Sequence, residues 1–217
     1  MAKQFAVIGM GRFGTSVART LYEMGYDVLG IDSNDDRIQD TMDLVTHAVT
    51  ADTTDEHALK AIGIRNFDTV VVAIGNDTKN SIMTTLLLKE LGVKFIVVKA
   101  MDEMHGKVLE KIGADRVVYP ERDMGYRVAH NLISPNILDY IELAPDYSIM
   151  EITAPTKFVG RSLEQIDIRR KYGCNVMAIK HGKDINISPI ASDILHEGDV
   201  LVIVGKNEDL DDIDENR

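Results

Sequence analysis

The chain has 217 residues, 45% of them hydrophobic, which is enough for one large domain or two modest domains with proper cores. Its formal net charge of −11, from 24 basic and 35 acidic residues, makes nucleic-acid phosphates and anionic lipid headgroups poor partners. Six of the carboxylates lie within residues 208–217, which we expect to be a solvated end.

We expect neither export nor direct insertion into a lipid bilayer. No apolar run approaches the roughly 18–20 residues that a membrane-spanning helix needs. The first residues lead directly into a strand pattern, so no signal peptide is expected. The single cysteine, Cys174, excludes an intramolecular disulfide and a cysteine zinc cluster, and it suits a reducing cytoplasm.

In the first half of the chain, short apolar runs alternate with helical patterns. The predicted strands are residues 5–8, 27–31, 47–49, 69–74, 95–98 and 116–119. The helical patterns that end at glycines are residues 17–24, 81–91 and 107–112. Apolar strands without alternation, separated by helices, predict an α/β fold with a Rossmann-like, doubly wound parallel sheet covered on both faces.

The pattern changes after a predicted helix at residues 123–132, which Ser134, Pro135 and Asn136 interrupt. We therefore predict a first domain at residues 1–133 and a second at 134–217. The elements of the second are strands at 148–153, 175–180 and 199–204, a helix at 163–172 and a turn between strands at 181–184. This composition predicts a small α+β domain of roughly 80 residues.

The first predicted turn matches the pattern G-x-G-x-x-G at residues 9–14. It follows a strand, opens a helix and has Asp32 at the end of the next strand, which is the context of a dinucleotide-binding fold. Gly9 permits the tight turn, Gly11 lets a phosphate approach the backbone, and Gly14 lets the helix pack against the strand. The helix start then offers free N–H groups to an anion, and Asp32 can accept hydrogen bonds from ribose hydroxyls.

Two side chains inside this turn, Arg12 and Phe13, are predicted to contact the nucleotide. The guanidinium of Arg12 can reach a terminal phosphate with two hydrogen bonds, which favours ATP or ADP over NAD or NADH. The alternative is a solvated arginine at a helix start.

Three residues after other strands belong to the same predicted cleft. Asp52 can bond an adenine amino group or cap the next helix, and Asn76 can contact phosphate or ribose or act as a cap. Lys99 can provide a positive charge for phosphate or be a solvated strand end.

The sequence contains no recognisable catalytic arrangement beside this cleft. The nucleotide-hydrolysing pattern G-K-[ST] is absent, and the histidines have neither triad nor metal-ligand spacing: His47, His57, His105, His130, His181 and His196. Nucleotide binding without visible chemistry favours a sensor over an enzyme. The alternatives are an NAD(H)-dependent oxidoreductase or redox sensor, and a purely structural scaffold.

Taken together, several stretches resemble the RCK family of regulators of K⁺ conductance, and especially the regulatory subunits of bacterial Ktr potassium uptake systems. They are residues 7–14, 73–75, 86–91, 108–116 and 118–121, and the resemblance extends over essentially the whole chain.

The resemblance implies a homo-octameric ring, a tetramer of dimers, in the cytoplasm. The ring would dock on an integral-membrane K⁺ transporter subunit of the KtrB or KtrD type at the inner face of the membrane, with ATP favouring the conducting arrangement and ADP the closed one. It also implies that Arg12 contacts the terminal phosphate across a dimer interface, that Asp32 holds the ribose and that Glu121 helps to hold Mg²⁺ or Ca²⁺. From the residues alone, the favoured alternative for Glu121 is a helix-start carboxylate.

For the second domain, the resemblance implies cyclic di-AMP binding at a dimer interface. The matching positions are Ile168, Arg169, Asn175, His181 and Pro189. Arg169 offers its guanidinium to phosphate, Asn175 an amide to polar edges, and Ile168 and Pro189 apolar contacts to a base. From the residues alone, Ile168 is a core position and Arg169 a surface position. Residues 123–136 are the candidate hinge or crossover helix.

Overall fold

A computed structural model describes residues 3–133, 137–144 and 146–213. By its internal contacts the chain separates into two compact units, Met1–Arg122 (unit 1) and Asp123–Arg217 (unit 2). The predicted interruption at Ser134, Pro135 and Asn136 lies outside the described residues, as do the last four residues of the acidic end. The domain boundary after residue 133 stays a prediction.

Unit 1 is built on a six-stranded parallel sheet in the order β3-β2-β1-β4-β5-β6. The strands are β1 (Gln4–Ile8), β2 (Asp27–Asp32), β3 (His47–Thr50), β4 (Thr69–Val72), β5 (Ile96–Lys99) and β6 (Arg116–Val118). The strand order reverses between β1 and β4, where doubly wound sheets open a crevice at the carboxyl ends of their strands. The predicted fold class is confirmed.

Helices connect these strands and bury both faces of the sheet. They are α1 (Arg12–Glu23), α2 (Asp35–Thr41), α3 (Glu56–Ile62), α4 (Thr78–Glu90), α5 (Glu103–Lys111) and α6 (Pro120–Ile133). Alternate residues of β1 enter separate cores, Ala6 and Ile8 on one side and Val7 on the other. The sequence did not predict α2 and α3, because a seven-residue helix is too short to show an apolar period.

Unit 2 contains a five-stranded antiparallel sheet in the order β10-β9-β11-β8-β7. Its elements are β7 (Ile137–Ala144), β8 (Tyr147–Thr153), α7 (Leu163–Ile166), α8 (Ile168–Tyr172), β9 (Asn175–His181), β10 (Asp184–Asn186), β11 (Val200–Lys206) and α9 (Asn207–Asp211). Met150, Ile152, Ile179, Leu201 and Ile203 of the three central strands belong to one buried core. The predicted α+β composition is confirmed.

Three details of the predicted second domain differ from the structure. The helix expected at residues 163–172 is two short helices, because Asp167 has a left-handed backbone with φ 53° that no continuous helix accepts. Strand β7 and helix α9 were not expected. The turn was placed correctly, since His181 pairs with Asp184 across Gly182 and Lys183. Among the described residues, no helix has the length and apolar character needed to cross a bilayer.

Candidate functional site

The three glycines of the first turn have three different environments. Gly9 has φ 94°, a conformation that suits glycine, and the nearest backbone of Ala73 is 3.0 Å from where its side chain would begin. A side chain at Gly14 would overlap the carbonyl oxygen of Gly9. A side chain added at Gly11 would meet no atom within 4 Å of its first carbon. Gly9 and Gly14 therefore shape the turn, whereas Gly11 leaves open space above it.

The start of α1 differs from the starts of the next four helices. Gly11 occupies the N-cap position, no side chain caps the helix, and its first turn contains no acidic residue. Helices α2 to α5 are each capped by a side-chain oxygen, from Asn34, Asp55, Asp77 and Asp102 respectively. The first N–H groups of a helix lack partners within it, so those of α1 are left without a side-chain cap, beside open space.

Asp32 holds this turn against the end of β2. Its buried carboxylate accepts a hydrogen bond from the Met10 backbone N–H at 2.7 Å and another from the Asn34 N–H at 2.9 Å. The half-exposed Arg37 guanidinium lies 3.3 Å from the same carboxylate. A carboxylate has about four acceptor positions, so these three contacts leave one of them open. Arg37 was not among the predicted site residues, because its position five residues after Asp32 matches the start of a helix but no known motif.

A buried cation lies at the same carboxyl edge of the sheet. The Lys99 side chain is only 9% exposed and forms an ion pair with Glu121, which is 67% exposed. Its Nζ lies 5.8 Å from the centre of the Phe13 ring and borders Gly75, which has no side chain there. The hydrogen bond from Lys99 lowers the pKa of Glu121 below its ordinary value. The alternative of a solvated strand end for Lys99 is therefore wrong.

The capping alternatives for Asp52 and Asn76 are also wrong. Asp55 caps α3 and Asp77 caps α4. Asp52 instead accepts hydrogen bonds from the side chain and backbone of Thr54, which lower its pKa. Asn76 and Arg12 are exposed, and their contacts with nucleotide stay predictions.

The residues predicted to bind cyclic di-AMP do not form one cluster within the chain. Ile168 is buried in the unit 2 core, as expected from the residues alone, and Arg169 is exposed. Asn175 and His181 are the first and last residues of β9, so about 20 Å separates them. Pro189 is partly exposed and follows β10.

The geometry of unit 1 defines a class: a Rossmann-type fold with an uncapped helix start, a carboxylate-braced glycine turn and a buried lysine at one edge of the sheet. Residues 5–120 match the TrkA-N domain and residues 147–216 match the TrkA-C domain. The chain belongs to the family of RCK proteins built from these two domains. The resemblance noted in the sequence is thereby confirmed.

Relatives with similar sequences belong to potassium uptake systems. The chain is 50% identical to Ktr system potassium uptake protein C of Bacillus subtilis (strain 168) over 210 residues, which are 97% of this chain and 95% of the relative. It is 49% identical to Ktr system potassium uptake protein A of the same organism over 208 residues, covering 96% and 94%. The protein A of Vibrio alginolyticus is 38% identical over 208 residues, covering 96% and 94%.

Solved structures share the fold at low identity. The RCK domain of GsuK superposes with a TM-score of 0.71 at 18% identity, covering 100% of this chain and 48% of that one. The GsuK channel bound to NAD gives a TM-score of 0.70 at 17% identity, covering 97% and 38%. The chain thus spans about half or less of these structures, and the likeness concerns the fold alone.

Proposed function

We propose that this chain is the regulatory subunit of a potassium uptake system, that it senses adenine nucleotides, and that it is not an enzyme. The observation that carries the proposal is the uncapped start of α1 over the open position at Gly11, braced by Asp32. High identity to two Ktr potassium uptake proteins over nearly the whole chain supports the assignment to potassium uptake.

The phosphate chain of the nucleotide would occupy the edge between the α1 start and Lys99. Backbone N–H groups, the buried ammonium of Lys99 and the exposed Arg12 together provide positive charge there. ATP and ADP differ by one phosphate, so only groups that contact the terminal phosphate can distinguish them. A nucleotide gates a partner only if two arrangements of the subunits bind it unequally, which makes Arg12, proposed to reach across a subunit interface, the discriminating residue.

Glu121 fits a role in holding a divalent cation, Mg²⁺ or Ca²⁺, beside the phosphates. Its carboxylate is mostly exposed, stays ionised at neutral pH and has oxygen ligands of the kind that these ions prefer. Bound phosphate would pair with Lys99 and thereby free Glu121 to bind the cation. A bound cation would likewise free Lys99 to bind phosphate. Nucleotide and cation are therefore expected to strengthen each other's binding.

The proposed partner is an integral-membrane K⁺ transporter subunit of the KtrB or KtrD type, contacted from the cytoplasmic side by a homo-octameric ring of dimers. In unit 2 we propose a cyclic di-AMP site shared by two copies of the chain. The separation of Asn175 and His181 along β9 supports a shared site, because one copy can supply one end of the strand and its partner the other.

The nucleotide site is tested by titration calorimetry of the full chain with ATP, ADP and NADH. Gly11→Ala is expected to weaken ATP and ADP binding at least about tenfold, since the new methyl group occupies the space left for phosphate. Gly125→Ala is the matched control, because its added methyl also meets no atom within 4 Å. Tight NADH binding without any ATP binding would instead favour the oxidoreductase alternative, and no binding at all would favour a scaffold.

The cation and cyclic di-AMP roles need separate variants. Glu121→Gln is expected to reduce the Mg²⁺-dependent part of the thermal shift caused by ATP, while Glu103→Gln, in the first turn of α5, leaves it unchanged. Equal thermal shifts of Glu121→Gln and Glu103→Gln would reject the cation role of Glu121.

Arg169→Ala is expected to weaken cyclic di-AMP binding, while Arg170→Ala, its exposed neighbour, does not. Equal cyclic di-AMP affinities of Arg169→Ala and Arg170→Ala would reject the role of Arg169.

A further inference from the structure

A cluster of two imidazoles and a buried carboxylate lies in unit 2. His181 ends β9, while His196 and Asp199 lie in the loop that leads into β11. Each of the three offers one ligand atom, and these atoms all lie within 4.8 Å of one another. We refer to these residues as the His–His–Asp cluster.

The backbone fixes the carboxylate at the centre of the cluster. Asp199 donates its N–H to the His196 carbonyl at 3.2 Å, and its own carbonyl accepts from Ala154 at 2.7 Å. Its Oδ2 accepts the His196 backbone N–H at 2.6 Å. The Asp199 side chain is 5% exposed, so the loop holds it in one place instead of letting it turn to solvent.

Both imidazoles face this carboxylate from the solvent side. Nδ1 of His181 lies 2.7 Å from Oδ1, and Nδ1 of His196 lies 3.6 Å from Oδ2. The two rings are 5.9 Å apart at their centres and inclined by 66°, so they approach from different directions. Their side chains are 40% and 71% exposed, which leaves a path by which an ion can enter.

The distances suit a small tetrahedral ion. Zn²⁺ binds imidazole nitrogen and carboxylate oxygen at about 2.0–2.2 Å, so neighbouring ligand atoms in a tetrahedral site lie about 3.3 Å apart. The two imidazole nitrogens lie 2.7 and 3.6 Å from different oxygens of Asp199, one distance below and one above that value. Small rotations of the exposed rings would bring both nitrogens to the spacing that the ion requires. Imidazole ligands favour a transition metal over Mg²⁺ or Ca²⁺, which prefer oxygen ligands alone.

We propose that the His–His–Asp cluster binds one Zn²⁺ ion per chain, with His181, His196 and Asp199 as ligands and the remaining position open to water. This zinc site is separate from the cation role proposed for Glu121. It lies in unit 2, it includes imidazole ligands, and it prefers Zn²⁺ to Mg²⁺ or Ca²⁺. It shares His181 with the proposed cyclic di-AMP site, but its other two ligands, His196 and Asp199, are not among the residues proposed for that site.

The test is titration calorimetry of the full chain with ZnCl₂ alone. Bound metals are first removed from the protein with a chelator. We expect one Zn²⁺ per chain, with affinity reduced at least about tenfold by His181→Ala and by His196→Ala. Excess Mg²⁺ should not compete. Co²⁺ in place of Zn²⁺ should give visible absorption from nitrogen and oxygen ligands, and His196→Ala should remove it.

The matched control is His57→Ala, an exposed histidine on α3 of unit 1, which should leave zinc affinity unchanged. Asp199→Asn risks misfolding because its side chain is buried, so the mostly exposed His196 provides the decisive variant. Zinc binding that is equal in the wild type, His181→Ala and His196→Ala would overturn the proposal. So would a wild-type protein that binds no zinc, which would leave the cluster as an ordinary imidazole–carboxylate contact.

Discussion

The two units differ in whether their candidate polar residues lie at one end of a sheet or at both ends. In unit 1 all strands are parallel, so residues that follow β1, β2, β4 and β5 meet at one edge of the sheet. In unit 2 the strands are antiparallel, and residues at the two ends of one strand, such as Asn175 and His181, lie at opposite edges. Residues that follow strands can therefore be predicted from the sequence to share one edge in unit 1, but not in unit 2.

The units also bury opposite charges beside their exposed groups. Unit 1 buries the cation Lys99 under the exposed carboxylate of Glu121, whereas unit 2 buries the carboxylate of Asp199 under exposed imidazoles. A buried charge attracts a ligand of the opposite sign more strongly than an exposed one, because solvent screens it less. This contrast agrees with an anion beside Lys99 and a metal cation beside Asp199. The other buried charge at the unit 1 edge, the carboxylate of Asp32, already contacts two backbone N–H groups and Arg37.

The largest expected effect tests whether the glycines of the turn have separate roles. Gly14→Ala should destabilise unit 1 by about 3 kcal/mol, because the added methyl overlaps the Gly9 carbonyl and forces α1 away from the sheet. Gly11→Ala should change stability by no more than about 0.5 kcal/mol. Urea unfolding followed by circular dichroism measures both. Equal stability of the two variants would contradict the packing described for Gly14.

A smaller effect is expected at the carboxylate that braces the turn. Asp32→Asn should cost about 2 kcal/mol, because an amide has one acceptor oxygen and its NH₂ group would face a backbone N–H donor. Asp27→Asn, at the exposed start of the same strand, is the control and should be neutral. The measurement is the urea midpoint of each variant. A neutral Asp32→Asn would show that the turn keeps its shape without the carboxylate.

The Lys99–Glu121 pair predicts a pH dependence with a definite sign. Because the folded-state pKa of Glu121 lies below the ordinary 4.5, the pair contributes stability above pH 4.5 and loses it as the pH falls through the lower, folded-state value. Glu121→Gln should be less stable than the wild type by no more than about 1 kcal/mol at pH 7, since Glu121 is exposed. The difference should vanish in acid. A difference that persists at the lowest pH would reject the ion pair as its cause.

The smallest expected effect is the slow chemical labelling of Cys174, in unit 2, in the folded protein. Burial, with a smaller contribution from nearby Asp209 and Asp212, raises the pKa of its thiol to about 11. Since the thiolate is the reactive form, iodoacetamide should scarcely label the folded protein at pH 8 and should label it fully in urea. The chain has a single cysteine, so labelling reports on unit 2 alone. Rapid labelling of the folded protein would show that this core opens readily.

Several elements escaped prediction for identifiable reasons. Helices α2 and α3 are set by their caps, Asn34 and Asp55, more than by an apolar period. Strand β7 has exposed apolar residues at Leu138, Ile141 and Leu143, and its pairing with β8 is irregular, so its sequence lacks a clean alternation. The capping alternatives for Asp52 and Asn76 were wrong because Asp55 and Asp77 cap the two helices instead.

Local patterns were enough to predict the parallel sheet, the glycine turn and the place of Asp32, because apolar runs, glycines and a carboxylate at fixed spacing constrain neighbouring residues. Folding was needed to show that Lys99 is buried against Glu121 and that Arg37 contacts Asp32. The same holds for the approach of His181, His196 and Asp199 to one another. These contacts join residues on different elements, and no local pattern records the distance between them.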